Sequence, residues 1–392
     1  MLFGIDRLTA SHIGGRKVAL LAHPASVDRE LRHVGETLER IDARPRIIFG
    51  PEHGYGGEAQ DMIGVDDAKD ARGTPVKSLY GANFEDLIPK AADLDGVDLL
   101  VVDLQDVGAR YYTFVWTAVL AMRVCAARGV KVLVLDRPNP LGGAVLEGRL
   151  QEPGFLSFVG LEAVPIRHGL TLGEIVAWRA AVEGLGDVVQ VLQVEGLPRA
   201  AHAPAWDRPM VMPSPNMPTY DTALVYPGGC LLEGTNLSDG RGTTRPFEIT
   251  GAPWVDGVRL ARDLQHLGRV LPGVVARPLT FRPTFHKHAG QVCGGVQLHV
   301  TDAAVFRPVA TYVALLALAH RQAPDAFRFR TERYEFIDHI PALDLLAGSA
   351  HVRTAILAGE DPARIAEAAA TVGAPENDVV RAAREACASR AI

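Results

Sequence analysis

Glu52 and His53 follow directly on Gly50-Pro51, a break that ends the apolar run Ile47, Ile48 and Phe49. Such a run reads as a buried parallel strand, and proline ends it because it has no N–H for the ladder. Carboxyl and imidazole groups transfer protons near neutral pH, and Gly54, Gly56 and Gly57 behind them let backbone approach a ligand closely. The chemistry on offer is general acid–base catalysis on a polar substrate. The plain alternative is a surface turn whose Glu and His are merely solvated.

Three further loops leave the same edge of the expected sheet. His23-Pro24 follows the first strand, residues 105–112 (Gln105, Asp106, Arg110, Tyr111 and Tyr112 among them) follow the third, and residues 136–140, with Arg137 and Asn139, follow the fourth. Ligands of open α/β sheets bind outside the carboxyl ends of the strands, so these loops are expected to meet in one crevice. Asp106 with Arg110, and Asp136 with Arg137, could equally be ion pairs that brace the loops. A second constellation, residues 232–248, holds three Gly, three Thr, three acids (Glu233 one of them), Asn236, Arg241 and Arg245 among few apolar side chains, the composition of a binding loop.

Other chemistries fit less well. Residues 54–59 match G-x-G-x-x-A, but Pro51, Glu52 and His53 separate them from the strand, whereas dinucleotide-binding glycines form the strand-to-helix turn itself. His286 and His288 have metal-ligand spacing on an extended segment, yet a lysine lies between them and no carboxylate is near in sequence. Neither a metal nor a cofactor is expected.

The elements that must position these loops alternate. Strands are expected at residues 17–22, 47–49, 97–104 and 131–135, with helices at 28–41, 83–94 (kinked at Pro89), 112–128 and 172–182. Alternation at these lengths gives a parallel sheet with right-handed crossovers. Residues 200–218 contain five prolines and cannot be regular structure. Beyond them come strands at 274–285 and 292–300, an apolar helix at 309–320, and two alanine-rich helices after Asp361. The fold class is α/β, a Rossmann-like parallel-sheet domain (residues 1–217) with a smaller α+β domain (residues 218–392) that closes the cleft.

At 392 residues the chain exceeds one comfortable core, which favours two domains. A formal charge of −6 and the lack of any basic stripe argue against a nucleic-acid partner. The four cysteines have no paired spacing, and neither an export signal nor a membrane span is legible, so a cytoplasmic location is expected for the chain as encoded, and a periplasmic or secreted one if it is a processed form.

Taken in order, GPEHG (residues 50–54), QDVGARYYT (105–113), LDRPNPLGG (135–143), PIRHGLTLGE (165–174), PSPNMPT (213–219), YPGGCLLEGTNLSDGRGTTRPFE (226–248) and CGGVQLHV (293–300) resemble the bacterial exo-β-N-acetylmuramidase family of glycoside hydrolases. The resemblance runs from about residue 18 to residue 316. It implies a Rossmann-like catalytic domain, a smaller C-terminal domain, a cleft between them, and removal of N-acetylmuramic acid from the non-reducing end of peptidoglycan fragments. The partner implied is a small saccharide. The glutamate of GPEHG, Glu52, is then the catalytic acid. His53, Gln105, Arg110, Tyr111, Tyr112, Arg137, Asn139, His168, Asn216, Asn236, Arg241, Arg245 and His288 carry over as site lining.

Glycosidic cleavage needs an acid for the leaving oxygen and support for an oxocarbenium-like centre. Asp106 and Glu233 are the candidate second carboxylates; the substrate's own 2-acetamido group, held by Tyr111 or Asn236, is the alternative. The lactyl carboxylate of the muramic residue calls for a cation, and Arg110, Arg241 and Arg245 are the candidates. A carbohydrate-binding protein that kept the fold and lost turnover is the competing function.

Overall fold

The computed structural model describes residues 1–60, 63–64 and 66–392. Two short helices, α1 (Gly4–Arg7) and α2 (Ala10–Ile13), precede an alternation of β1 (Val18–Ala22), α3 (Val34–Arg40), β2 (Ile47–Gly50), β3 (Ala68–Lys69), β4 (Pro75–Ser78), β5 (Leu99–Asp103), α4 (Phe114–Ala127), β6 (Lys131–Leu135), α5 (Leu172–Val182) and β7 (Val189–Leu192). Among the described residues these strands form one sheet in the order β3-β4-β2-β1-β5-β6-β7, parallel except for β3. The chain leaves β1 towards β2 and β4, then crosses back to β5 on the other flank. That reversal opens a crevice at the carboxyl ends of β1, β2 and β5.

The strand side chains alternate between two apolar layers. Val18, Leu20 and Ala22 face the layer that contains Phe3, Ile5, Val34 and Leu38, while Ala19 and Leu21 face the layer with α4 and α5. Burial on both faces explains why β1, β2, β5 and β6 read as unbroken apolar runs, each large side chain contributing roughly 1.5–3 kcal/mol.

The second half contains α6 (Tyr220–Gly229), β8 (Ile249–Ala252), α7 (Gly257–His266), β9 (Val274–Phe281), β10 (Cys293–Val300), α8 (Pro308–Gln322), α9 (Ala342–Ala347), α10 (His351–Leu357), α11 (Pro362–Ala370) and α12 (Ala374–Ala388). Strands β8, β10 and β9 make an antiparallel sheet. Helix α8 is buried along residues 308–319, and the Glu147 carboxylate, from the first half, accepts from Val309 N and Ala310 N at its start, at 3.1 and 2.9 Å. The chain end returns to the first sheet, where Val191 N donates to Arg390 O and Ile392 N to Val191 O. No described helix is long and apolar enough to cross a membrane.

Several local expectations are corrected. The helix expected at 28–41 begins only at Val34, because the Asp28 carboxylate accepts from Glu30 N and Arg32 N and winds residues 28–32 into a turn. The helix expected at 83–94 is two short 3-10 turns, Phe84–Leu87 and Ala91–Leu94, since Pro89 forces Ile88 into an extended conformation. Strand β9 stops at Phe281 rather than continuing to 285, and His286 and His288 lie in a loop with positive φ.

Candidate active site

Glu52 is set by the end of β2. Gly50 is the last strand residue, and a Cβ there would collide with the backbone of Tyr55, so only glycine lets the loop fold back on the strand. His53 takes φ +71°, a left-handed conformation that costs a residue with a Cβ on the order of 1–3 kcal/mol. Its Nδ1 bonds Ala59 O at 2.9 Å. This backbone leaves the Glu52 carboxyl buried beside the first turn of α4, where Thr113 Oγ1 donates to Glu52 Oε2 at 2.7 Å.

Glu52 and His53 line a narrow hollow between the two halves, with about 40 Å3 open to the centres of water-sized groups. One wall is aromatic. Tyr226 packs edge-on against Tyr111, Tyr112 and Phe247, with ring centroids 5.8, 5.9 and 4.8 Å apart. Burial pushes the Tyr111, Tyr112 and Tyr226 phenols well above their usual range, so this wall stays neutral and offers rings to the apolar face of a sugar.

The opposite wall is ionic. Glu233 Oε1 pairs with Arg241 Nη2 at 2.9 Å, and Tyr334 OH donates to Glu233 Oε2 at 2.7 Å. Burial raises the Glu233 pKa, but the Arg241 guanidinium and the two hydrogen bonds outweigh it and hold the carboxyl below its ordinary value. Behind it, Asp239 faces Arg241 Nη1 at 3.1 Å and Lys287 Nζ at 3.3 Å; those cations overcome burial and keep its pKa well below the usual range. Among the described residues, Glu233 and Asp239 thus face Arg241 and Lys287 next to the hollow.

Asn216 borders the hollow and donates to Gln60 Oε1 at 2.7 Å. Its segment is strapped to the sheet by His23, whose Nδ1 bonds Pro213 O at 3.2 Å while Nε2 accepts from Gln105 N at 3.0 Å. Burial, then Arg137, lower the His23 pKa to about 3, so the ring is neutral and both bonds persist.

Of the residues expected from sequence, Glu52, His53, Tyr111, Tyr112, Asn216, Glu233 and Arg241 border the hollow. The others lie outside it and serve the loops. Asp106 accepts from Gly108 N at 2.7 Å and faces His168 Nε2 at 3.4 Å, while His168 Nδ1 accepts from Leu170 N. Gln105 donates to Asp106 O and Pro138 O, and Asn139 bonds Leu170 O and Leu141 N. Arg137 pairs with Asp103 and donates to Val27 O. Arg110 is fully buried and donates to Arg149 O, Val164 O and Leu346 O. Asn236 bonds Ala326 O and Arg328 N, His288 bonds Asn236 O, and Arg245 pairs with Glu248 at the surface. Arg245 apart, the physical reason is common: buried loop carbonyls, amides and charges must be satisfied, and the polar side chains of these loops do it.

Sequence reasoning gave no site role to Thr113, Tyr226, Phe247, Tyr334 or Glu335, all of which line the hollow. The first three sit inside the motifs quoted above, and their neighbours were the signal. Tyr334 and Glu335 carry no motif at all. Among the described residues, no group of three or more His, Cys, Asp or Glu side chains is arranged to hold a metal ion.

Two family models match the chain, "Exo-beta-N-acetylmuramidase NamZ, N-terminal" over residues 18–221 and "Exo-beta-N-acetylmuramidase NamZ, C-terminal" over residues 224–373. The chain is 39% identical to the peptidoglycan beta-N-acetylmuramidase NamZ of Bacillus subtilis (strain 168) over 361 residues, 90% of this chain and 83% of that protein. Two crystal structures of DUF1343 family proteins from Bacteroides fragilis NCTC 9343 are similar. One has a TM-score of 0.82 and 27% identity, covering 98% of this chain and 97% of the other. The second has a TM-score of 0.73 and 25% identity, covering 100% and 98%.

Proposed function

The chain belongs to the exo-β-N-acetylmuramidase family, and on that premise we propose that the hollow between its two sheets is where a terminal N-acetylmuramic residue is bound and released. The protein is a glycosidase, an exo-acting muramidase whose partner is a peptidoglycan-derived saccharide. The muropeptide or disaccharide end is the substrate we assign. The division into residues 1–217 and 218–392 is likewise a proposal; the hollow it places between the parts draws Glu52 from one and Glu233 from the other.

Glu52 is the general acid. Its proton passes to the glycosidic oxygen as the bond to the anomeric carbon breaks, and the same carboxylate then takes a proton from the incoming water. Glu233 has one oxygen engaged by Arg241 and the other by Tyr334, so it acts as a fixed negative charge near the developing cation rather than as a nucleophile. The 2-acetamido oxygen of the substrate is then the group that supports the anomeric carbon. Arg241 is the cation for the lactyl carboxylate, since Arg110 and Arg245 lie outside the hollow.

One observation carries this reading, namely that Glu52, held by Thr113, and an ionised Glu233 border the same hollow. The test is release of N-acetylmuramic acid from a chromogenic β-N-acetylmuramide and from the natural disaccharide. No release from either, by a folded protein, contradicts it.

A further inference from the structure

The tyrosines that border the hollow use their hydroxyls differently. Tyr111 OH donates to Pro227 O and Tyr334 OH to Glu233 Oε2. Tyr112 OH is buried and meets no partner of hydrogen-bond geometry among the described residues; the Ser214 side chain approaches it without reaching that geometry. A buried hydroxyl left unmatched costs stability, so one kept at the edge of a binding hollow calls for a partner outside the free protein. The ring itself is firmly placed. Tyr112 N donates to Ala109 O at 2.9 Å, and the ring packs against Phe114 and Tyr226, with centroids 4.7 and 5.9 Å away. Tyr112 directly precedes Thr113, which holds Glu52, so one short segment carries both this hydroxyl and the residue that orients the acid.

We propose that Tyr112 is a substrate-positioning residue whose hydroxyl donates to the carbonyl oxygen of the terminal sugar's 2-acetamido group. This rests on the muramidase reading given above. The two side chains that the sequence offered for that group are engaged elsewhere, Tyr111 with Pro227 O and Asn236 with Ala326 O and Arg328 N. Burial outweighs the opposing Ser214 contact at Tyr112, and Asp106 and Glu52 act in the same direction as burial. The phenol therefore stays well above its usual range, protonated and able to donate. Among the acceptors of the sugar, the glycosidic oxygen is served by Glu52 and the lactyl carboxylate by Arg241 in that reading, while the ring hydroxyls donate as well as accept. The amide oxygen only accepts, which suits a donor that does not ionise. It has two lone pairs, so it accepts from Tyr112 with one and faces the anomeric carbon with the other.

The experiment measures binding of two free sugars by calorimetry, N-acetylmuramic acid and its counterpart with hydrogen in place of the acetamido group at C2, to the parent and to Tyr112→Phe. Thermal melts of both proteins and their kcat on a chromogenic β-N-acetylmuramide accompany it. The parent is expected to bind the acetamido sugar more tightly by about 10-fold or more. In Tyr112→Phe that preference falls by about 5-fold or more, through weaker binding of the acetamido sugar alone. The kcat on the muramide falls with it, while the melting temperature stays at or above the parent's, because the hydroxyl removed had no partner in the free protein. A parent without preference between the two sugars overturns the proposal, and so does an equal weakening of both in the variant, which would place the hydroxyl against another part of the sugar. A Tyr112→Phe protein that melts below the parent overturns it too, since the hydroxyl would then be paired within the fold. A parent that binds neither sugar and releases nothing from the muramide rejects the muramidase reading, and the proposal with it.

Discussion

Thr113 Oγ1 donates to Glu52 Oε2 at 2.7 Å, so the carboxyl that leaves the end of β2 is oriented by the residue that opens α4. Neither element positions the acid alone: the strand fixes its backbone and the helix start fixes its side chain. Thr113→Val keeps the shape and removes the donor, a hydrogen bond to a buried acid worth about 1–1.5 kcal/mol. The expected result is a kcat lower by roughly 5- to 10-fold with KM little altered, and Thr113→Ser restoring most of it. A Val variant with parental kcat would remove Thr113 from the account.

Arg241 is the expected reader of the lactyl carboxylate. It also holds Glu233 and Asp239, so truncation to Ala would take a cation away from two buried anions. Arg241→Lys keeps the charge and loses the planar fork. Its kcat/KM on a muramide should fall by roughly 10- to 100-fold, and by a larger factor than any side activity on the matching glucosaminide. An unchanged ratio between the two substrates would assign the lactyl group to another residue.

Arg110 gives the opposite expectation. Its guanidinium satisfies three carbonyls, two in the first half and Leu346 O in the second. Arg110→Met should cost about 3 kcal/mol or more of stability in urea unfolding, from carbonyls left without a donor. The substrate preference of the remaining folded protein should not move. A stable variant with altered preference would return Arg110 to the site.

Those two arginines mark what the sequence makes legible. Strands β1, β2, β5 and β6 are continuous apolar runs because both sheet faces are buried, and the break at Gly50-Pro51 therefore pointed to Glu52 directly. Helix α6 was hidden because Pro227, Gly228 and Gly229 lie inside it; Thr219 caps it, and burial of residues 222–229 holds it together. Strand β7 is four residues long with an exposed second position, too short for its period to show. In the site, residue type alone could not separate Arg110 from Arg241. One donates to backbone carbonyls distant in sequence, and the other pairs with carboxylates eight and two residues away. Tyr334 and Glu335 owe their place to a strained turn fixed by tertiary contacts, for which the local sequence holds no Gly or Asn signal.

A pH dependence of stability follows from the cap on α8. Burial raises the Glu147 pKa to about 7, although Ala310 N and Val309 N hydrogen bonds oppose the shift. Between about pH 4.5 and 7 the folded state therefore holds a proton that the unfolded chain has lost. The stability from this group is fully present below its unfolded value and is lost as pH rises through about 7. Unfolding by urea should need about 1 to 3 kcal/mol more from this group at pH 5 than at pH 8, and Glu147→Gln should flatten that part of the profile. Identical pH slopes in parent and variant would contradict the assignment.

The most direct test of the account is Glu52→Gln. Glutamine keeps the size of the side chain and can still accept from Thr113, but it has no proton to transfer, so the melting temperature should stay close to the parent's. General-acid catalysis is worth about 10²- to 10⁴-fold, and the loss should fall on kcat more than on KM for the natural disaccharide, whose leaving oxygen needs protonation. With a nitrophenyl muramide, whose leaving group needs little help, the loss should be much smaller. A Glu52→Gln protein that melts normally and cleaves the disaccharide at the parental rate would contradict the account.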